Sequence, residues 1–222
     1  MLVLFDIDGT LVRSRPLTHQ RAMARAAVDV FGLPPETDEA SIRAVEPWGK
    51  TDRWILRELL EAHGIGAPDS DTLARWERAA CAAYQEIEDG SASDDDRRTA
   101  ALLERLHASG HDLALVTGNL EPIARLKLNR RGLGDAFPAG QGGFGSDAED
   151  RAELVRIARE RAGSPPLPEI VLIGDTPNDV QAGLAAGVRP VAIAGDRYSR
   201  DDLLGAGADA VVDDLDELEA LL

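Results

Sequence analysis

With 222 residues, 44% hydrophobic and only 4% aromatic, the chain has the make-up of an ordinary globular protein with room for one large domain, or for a core carrying an insert. Forty acidic residues against 24 basic ones leave a net charge of -16, a field that repels nucleic acid and anionic membranes and argues against both as partners. The same field repels an anionic substrate, so any phosphate site here needs cations of its own.

The single cysteine, Cys81, lies in an Ala-rich helical stretch and reads as a small buried apolar residue. Asp6 and Asp8 interrupt the first apolar run, so no signal peptide is expected. No apolar stretch approaches the roughly 18 to 20 residues of a membrane span, and a cytoplasmic location is the expectation.

In chain order, LVLF at 2–5 is a short buried strand, and D-I-D-G-T follows it at once. The next strand-like run, DLALVT, begins only at residue 112, far beyond an ordinary crossover. The interval reads as helix over 17–31, 51–63 and 71–87, with breaks at GLPPE, GIGAPD and GSASDDD. After it come a helix at 97–109, the strand at 112–117, helices at 120–131 and 149–162, and a strand at 169–175. A helix at 178–186, strands at 190–195 and 208–214 and a last short helix at 215–221 complete the chain. Continuous apolar strands alternating with helices predict a Rossmann-like, doubly wound parallel α/β sheet. Residues 1–14 and 94–222 would form that core, and 15–93 an inserted α-helical cap, hinged near 14–16 and 91–95.

Ligands of open parallel sheets bind beyond the carboxyl ends of the strands. The first strand is followed there by Asp6 and Asp8, the second by Thr117, Gly118 and Asn119, and the third by G-D-T-P-N-D with Asp175 and Asp179. Each stretch alone also suits a turn or a capped helix start, with Thr10 or Asn119 as the capping residue. All three together, each behind a buried strand, point to a site. Two like charges about 4 Å apart repel by about 4 kcal/mol at an effective dielectric of about 20, so converging carboxylates demand a cation. An oxygen-only set with no Cys or His argues against zinc and for Mg2+ beside a phosphate.

FDIDGTL, VTGN and IGDTPNDVQAG, in this order, resemble the haloacid dehalogenase superfamily of phosphohydrolases. The insert is similar to the helical C1-type cap of phosphoglycolate phosphatase-like and β-phosphoglucomutase-like members, and WGKTD at 48–52 to a stretch of that cap. The resemblance implies an aspartyl-phosphate mechanism with Asp6 as nucleophile and Asp8 as general acid and base. Asp8's pKa would be raised by its acidic neighbours. It implies Mg2+ held by Asp6, Asp175, Asp179 and the backbone carbonyl of Asp8, and phosphate oxygens held by Thr117 and the amides of Gly118 and Asn119.

The family's phosphate-binding cation has two candidates. Many relatives carry Lys-Pro before the third of these strands, where this chain has FGSDAEDR and Arg151. Lys127 falls on the apolar stripe formed by Leu120, Ile123, Ala124 and Leu128, unusual for an ammonium without an anionic partner. Lys127 is the favoured cation and Arg151 the alternative. Lys50 would reach the substrate from the cap or stay solvated, Arg13 would face the site entrance or be structural, and His19 reads as a surface histidine.

The implied function is a Mg2+-dependent phosphatase of a small phosphorylated metabolite, as a monomer or homodimer. The rivals are a β-phosphoglucomutase-like phosphomutase, a haloacid dehalogenase, which the second aspartate Asp8 disfavours, and a non-catalytic receiver-like phospho-acceptor.

Overall fold

The computed structural model describes residues 1–13, 17–87 and 92–222. The chain starts with β1 (Leu2–Phe5) and then enters four helices, α1 (Thr18–Phe31), α2 (Glu39–Ala44), α3 (Asp52–Ala62) and α4 (Ser70–Glu86). Next come α5 (Asp94–Ala108), β2 (Asp112–Thr117), α6 (Glu121–Arg130), the two-residue β3 (Gly143–Phe144) and α7 (Arg151–Arg161). The last elements are β4 (Ile170–Gly174), α8 (Pro177–Ala186), β5 (Arg189–Ile193), α9 (Arg200–Gly205) and β6 (Ala210–Val212). A 3-10 turn at Leu215–Ala220 stands where the last short helix was expected.

The strands form one sheet in the order β3-β2-β1-β4-β5-β6, with every pairing parallel. The runs are continuously apolar because both faces are buried. Val3 and Phe5 pack with Leu113, Leu115, Val171 and Ile173 against Leu102, Leu103 and Leu106 of α5. Leu2 and Leu4 face the other way, with Ala114, Val116, Ile170 and Leu172, onto Leu154, Val155 and Ala158 of α7. β1 is central, flanked by β2 and β4, and the chain order reverses there. The crevice beyond the carboxyl ends of β1 and β4 is the topological switch point of such a sheet.

Helices α1 to α4 bury a separate apolar cluster that includes Met23, Leu56, Leu59, Leu60, Trp76 and Tyr84. Leu120 and Ile123 of the α6 segment belong to this cluster, while Ala124 and Leu128 belong to the sheet's core. The predicted stripe on α6 therefore serves two layers, and Lys127 lies at their seam, 5% exposed.

The expected hinge positions 14–16 and Ser91 lie outside the described residues. Asp94 and Asp95, also expected in a hinge, form the first turn of α5 behind the Ser93–Asp96 capping box. Cys81 is half-buried on α4 rather than fully buried. No helix among the described residues is long and apolar enough to cross a membrane.

Candidate active site

Beyond β1 the backbone continues the ladder for one more residue, with Asp6 N–H donating to Ile173 O at 2.9 Å. That bond fixes the start of the D-I-D-G-T turn, in which Gly9 takes φ +92°. Asp6 is thereby held against the end of β4. One carboxylate oxygen from each of Asp6, Asp175 and Asp179 lies within 4.8 Å of the others, and all three residues are buried. Asp179 arrives there because Thr176 caps α8 and the Asp179 side chain returns the bond, accepting from Thr176 N at 3.0 Å and from its hydroxyl at 2.6 Å. This cluster could hold a metal ion, and its donor chemistry, three carboxylates with no sulfur or imidazole, fits a hard divalent cation.

Arg151, the first residue of α7, is the cation found among these carboxylates. Its Nη2 is 2.8 Å from Asp6 Oδ1 and is also hydrogen-bonded to Asp179 Oδ1. Burial pushes the Asp6 carboxyl up to about 7, with Arg151 opposing and the charges of Asp179 and Asp8 adding to the rise. Arg151 is itself buried; the charges of Asp179 and Asp6 outweigh that burial and hold it firmly protonated.

Asp8 has the opposite surroundings. Lys127 Nζ lies 2.7 Å from each of its carboxylate oxygens, and Asn119 Nδ2 donates to Oδ2 at 2.8 Å. Asn119 Oδ1 in turn accepts from Lys127 at 2.9 Å. Burial disfavours the charged form of Asp8, but Lys127, His19 and the bonds from Lys127 and Asn119 outweigh it and hold the pKa at about 2. The expectation of a raised Asp8 pKa is therefore corrected: its nearest neighbours are cationic, and the acidic ones act on Asp6 instead. The apolar stripe signalled that the Lys127 amine needs an anionic partner, and Asp8 is that partner. Arg151, not Lys127, touches Asp6.

Thr117 is buried behind this layer, where its hydroxyl accepts from Asn119 Nδ2 at 2.7 Å. Asn119 does not cap α6. The Leu120 N–H donates instead to Asp52 Oδ2 at 2.8 Å, and the Glu121 N–H to Ser146 Oγ at 2.8 Å. A carboxylate from α3 thus sits at the helix N-terminus, where aligned N–H groups favour an anion. Asp52 also bonds His19 Nε2 at 3.1 Å, and its own N–H donates to Gly118 O at 2.8 Å. His19 is accordingly not a surface histidine: its side chain is 12% exposed and lines the site.

A cavity of about 110 Å3 lies between the strand ends and the helical layer. Asp6, Asp8, Gly118, Asn119, Arg151, Asp175 and Thr176 line one side, and His19, Met23, Ile42, Trp48, Lys50 and Ile55 the other. Two glycines let these sides meet. A Cβ on Gly118 would stand 2.2 Å from Lys50 O, and Gly49, at φ +69°, passes where a Cβ would be 2.5 Å from the Thr176 hydroxyl. Further bonds run from Arg151 Nη1 to Gly49 O at 3.3 Å and from Asn178 Nδ2 to Trp48 O at 3.1 Å.

Two predicted substrate contacts are placed differently. Lys50 lines the cavity, but its ammonium is bound by Glu58 at 2.6 Å and Val45 O at 2.7 Å. Arg13 does not line it; it lies 3.5 Å from Asp214 on a separate shallow surface. Sequence reasoning missed Asp52, Asn178 and Arg197. Only WGKTD, already similar to a cap stretch, signalled that this loop meets the site.

Comparison with known proteins agrees with this geometry. The family model of haloacid dehalogenase-like hydrolases matches residues 1–187. Phosphoglycolate phosphatase of Rhodospirillum rubrum is 32% identical over 221 residues, covering 97% of this chain and 88% of the relative. Hexitol phosphatase A of Escherichia coli is 31% identical over 197 residues, covering 86% of this chain and 81% of the relative. Among solved structures, CbbY from Rhodobacter sphaeroides in complex with phosphate aligns with a TM-score of 0.69 at 23% identity, covering 98% of this chain and 95% of that one. The chain belongs to the haloacid dehalogenase-like hydrolases, as an enzyme of their phosphatase type.

Proposed function

We propose that the protein hydrolyses a small phosphorylated metabolite of the cytoplasm through a phosphoryl-Asp6 intermediate, with phosphoglycolate as the first candidate substrate. The observation that carries this reading is the buried trio Asp6, Asp175 and Asp179, whose oxygens converge within 4.8 Å at the switch point of the sheet. The choice of phosphoglycolate is supported by the name of the Rhodospirillum rubrum relative.

Asp6, Asp175 and Asp179, with the Asp8 carbonyl, would hold Mg2+, which when bound offsets the crowding of carboxylates and phosphate and keeps Asp6 ionised. Asp6 attacks phosphorus and the ester oxygen leaves. Asp8 donates a proton to that oxygen and then takes one from the attacking water. Asp8 starts as the ion held by Lys127 and Asn119, so the proton it gives to the leaving oxygen is first taken up from solvent as substrate binds. An arriving phosphate competes for Lys127, loosening its hold on Asp8 and raising Asp8's proton affinity as the reaction requires. Arg151 steadies Asp6 and neutralises negative charge beside it. Residues 15–93 act as a cap over a core of 1–14 and 94–222, excluding water when seated through Asp52 and Gly49.

A phosphate-release screen over phosphomonoesters with Mg2+, run beside Asp6→Asn, tests the reading. Sustained release by the parent chain, lost in the variant, is expected. A variant as fast as its parent, or sugar-phosphate isomerisation in place of release, would overturn it.

A further inference from the structure

Arg197 lies on the loop after β5 and lines the same cavity as Asp6. Its guanidinium carbon is 3.4 Å from the centre of the Trp48 ring, so the cation rests on the indole face. The other basic side chains lining the cavity are matched by carboxylates: Arg151 by Asp6 and Asp179, Lys50 by Glu58 and His19 by Asp52. Among the described residues Arg197 makes no ion pair, in a chain whose net charge is -16. Stacking on a ring uses the face of a guanidinium and leaves its N–H edge available for planar recognition of an anion.

We propose that Arg197, held flat by Trp48, is a specificity residue that binds a second anionic group on the substrate. This rests on the phosphatase reading above and narrows its substrate class to compact phosphomonoesters bearing a carboxylate or a second phosphate. Compactness follows from the volume. About 110 Å3 corresponds to about four waters at the roughly 30 Å3 each occupies in the liquid. A phosphate placed at Asp6 leaves room for a short tail, and Arg197 is the cation available to meet a charge on that tail. Trp48 belongs to the loop whose carbonyl is held by Asn178, so the arginine is fully supported only when that loop is seated on the sheet. Recognition of the second anion is thereby coupled to closure.

The test compares the parent with Arg197→Ala and Arg197→Lys, using 2-phosphoglycolate, propane-1,3-diyl bisphosphate and the uncharged-tail ester ethyl phosphate. In steady state, the preference of Arg197→Ala for 2-phosphoglycolate over ethyl phosphate falls by about 10- to 100-fold, as expected for one lost charge-assisted contact, and the loss appears in KM. Arg197→Lys recovers part of that preference, because it keeps the charge but not the plane. The arm that loses more, carboxylate or bisphosphate, identifies the second anion. Calorimetric binding of 2-phosphoglycolate and ethyl phosphate to Asp6→Asn, with and without Arg197→Ala, reads the same preference without turnover. If the parent releases phosphate from none of the esters, the phosphatase reading fails, and the binding ratio alone decides the role of Arg197. An unchanged preference in Arg197→Ala, or an equal loss on charged and uncharged tails, overturns the proposal.

Discussion

Asp6 and Asp8 stand two residues apart in one turn, yet their surroundings are opposites. Asp6 is buried beside Asp175 and Asp179 with one guanidinium among them, and its carboxyl is pushed up to about 7. Asp8 opens toward the cavity, is bound by both an ammonium and an amide, and is held at about 2. Two like residues at one strand end are thus set for unlike tasks by what the neighbouring strands and helices bring to them. The crowded side calls for a metal, whereas on the clamped side the proposed mechanism has an arriving anion draw off the lysine.

The largest effect that could break this contrast comes from removing the proposed nucleophile. Asp6→Asn should lower phosphate release by at least about 10^3-fold, measured with saturating Mg2+. Losing the clamp should cost less: Lys127→Gln should lower turnover by about 10- to 100-fold and let the Asp8 carboxyl titrate nearer its ordinary range, visible by carbon NMR of labelled aspartate.

A pH series sharpens the contrast on the metal side. Asp6 has an ordinary value of 3.8 and a folded value of about 7. Between these the folded protein holds more protons than the unfolded chain, so the stability contributed by Asp6 is full below about 4 and is lost as pH rises through about 7. Asp8 runs the other way, contributing above about 4 and losing its share as pH falls toward 2. Metal-free melts should therefore show a decline in Tm from pH 5 to 8 that is absent in Asp6→Asn and reversed by Mg2+. A smaller change is expected from Asp52→Asn, which weakens the acceptor at Leu120 N–H and the His19 contact; a rise of a few-fold in KM would report looser seating of the helical layer. Arg13→Ala, which removes one exposed ion pair, should shift stability by less than about 0.5 kcal/mol.

The sheet was legible because its strands are short apolar runs buried on both faces, and their acidic tips stood out against that background. β3 was not, since Gly143–Phe144 is two residues long and carries no pattern. α2 and α9 were missed for a related reason: six residues each, recognisable only from the capping boxes at Asp38 and Ser199. In the site, Lys127 could be read because its charge interrupts an apolar stripe. The local sequence of α6 marked Asn119 as a cap, but its partners Asp8 and Lys127 come from the turn after β1 and from the helix's second turn. Asp52 opens α3 and Arg197 sits in a polar loop, two positions where a charge is unremarkable. Their roles exist only once the loop at 47–52 lies on the strand ends, with Gly118 against Lys50 O.

The most direct measurement is to quench the enzyme during turnover of phosphoglycolate with Mg2+ and map the phosphoryl group by peptide mass spectrometry. Phosphate is expected on the N-terminal peptide, at Asp6, and none in Asp6→Asn. Steady turnover with no phosphoryl-enzyme at any quench time, or a label on a peptide lacking Asp6, would contradict it.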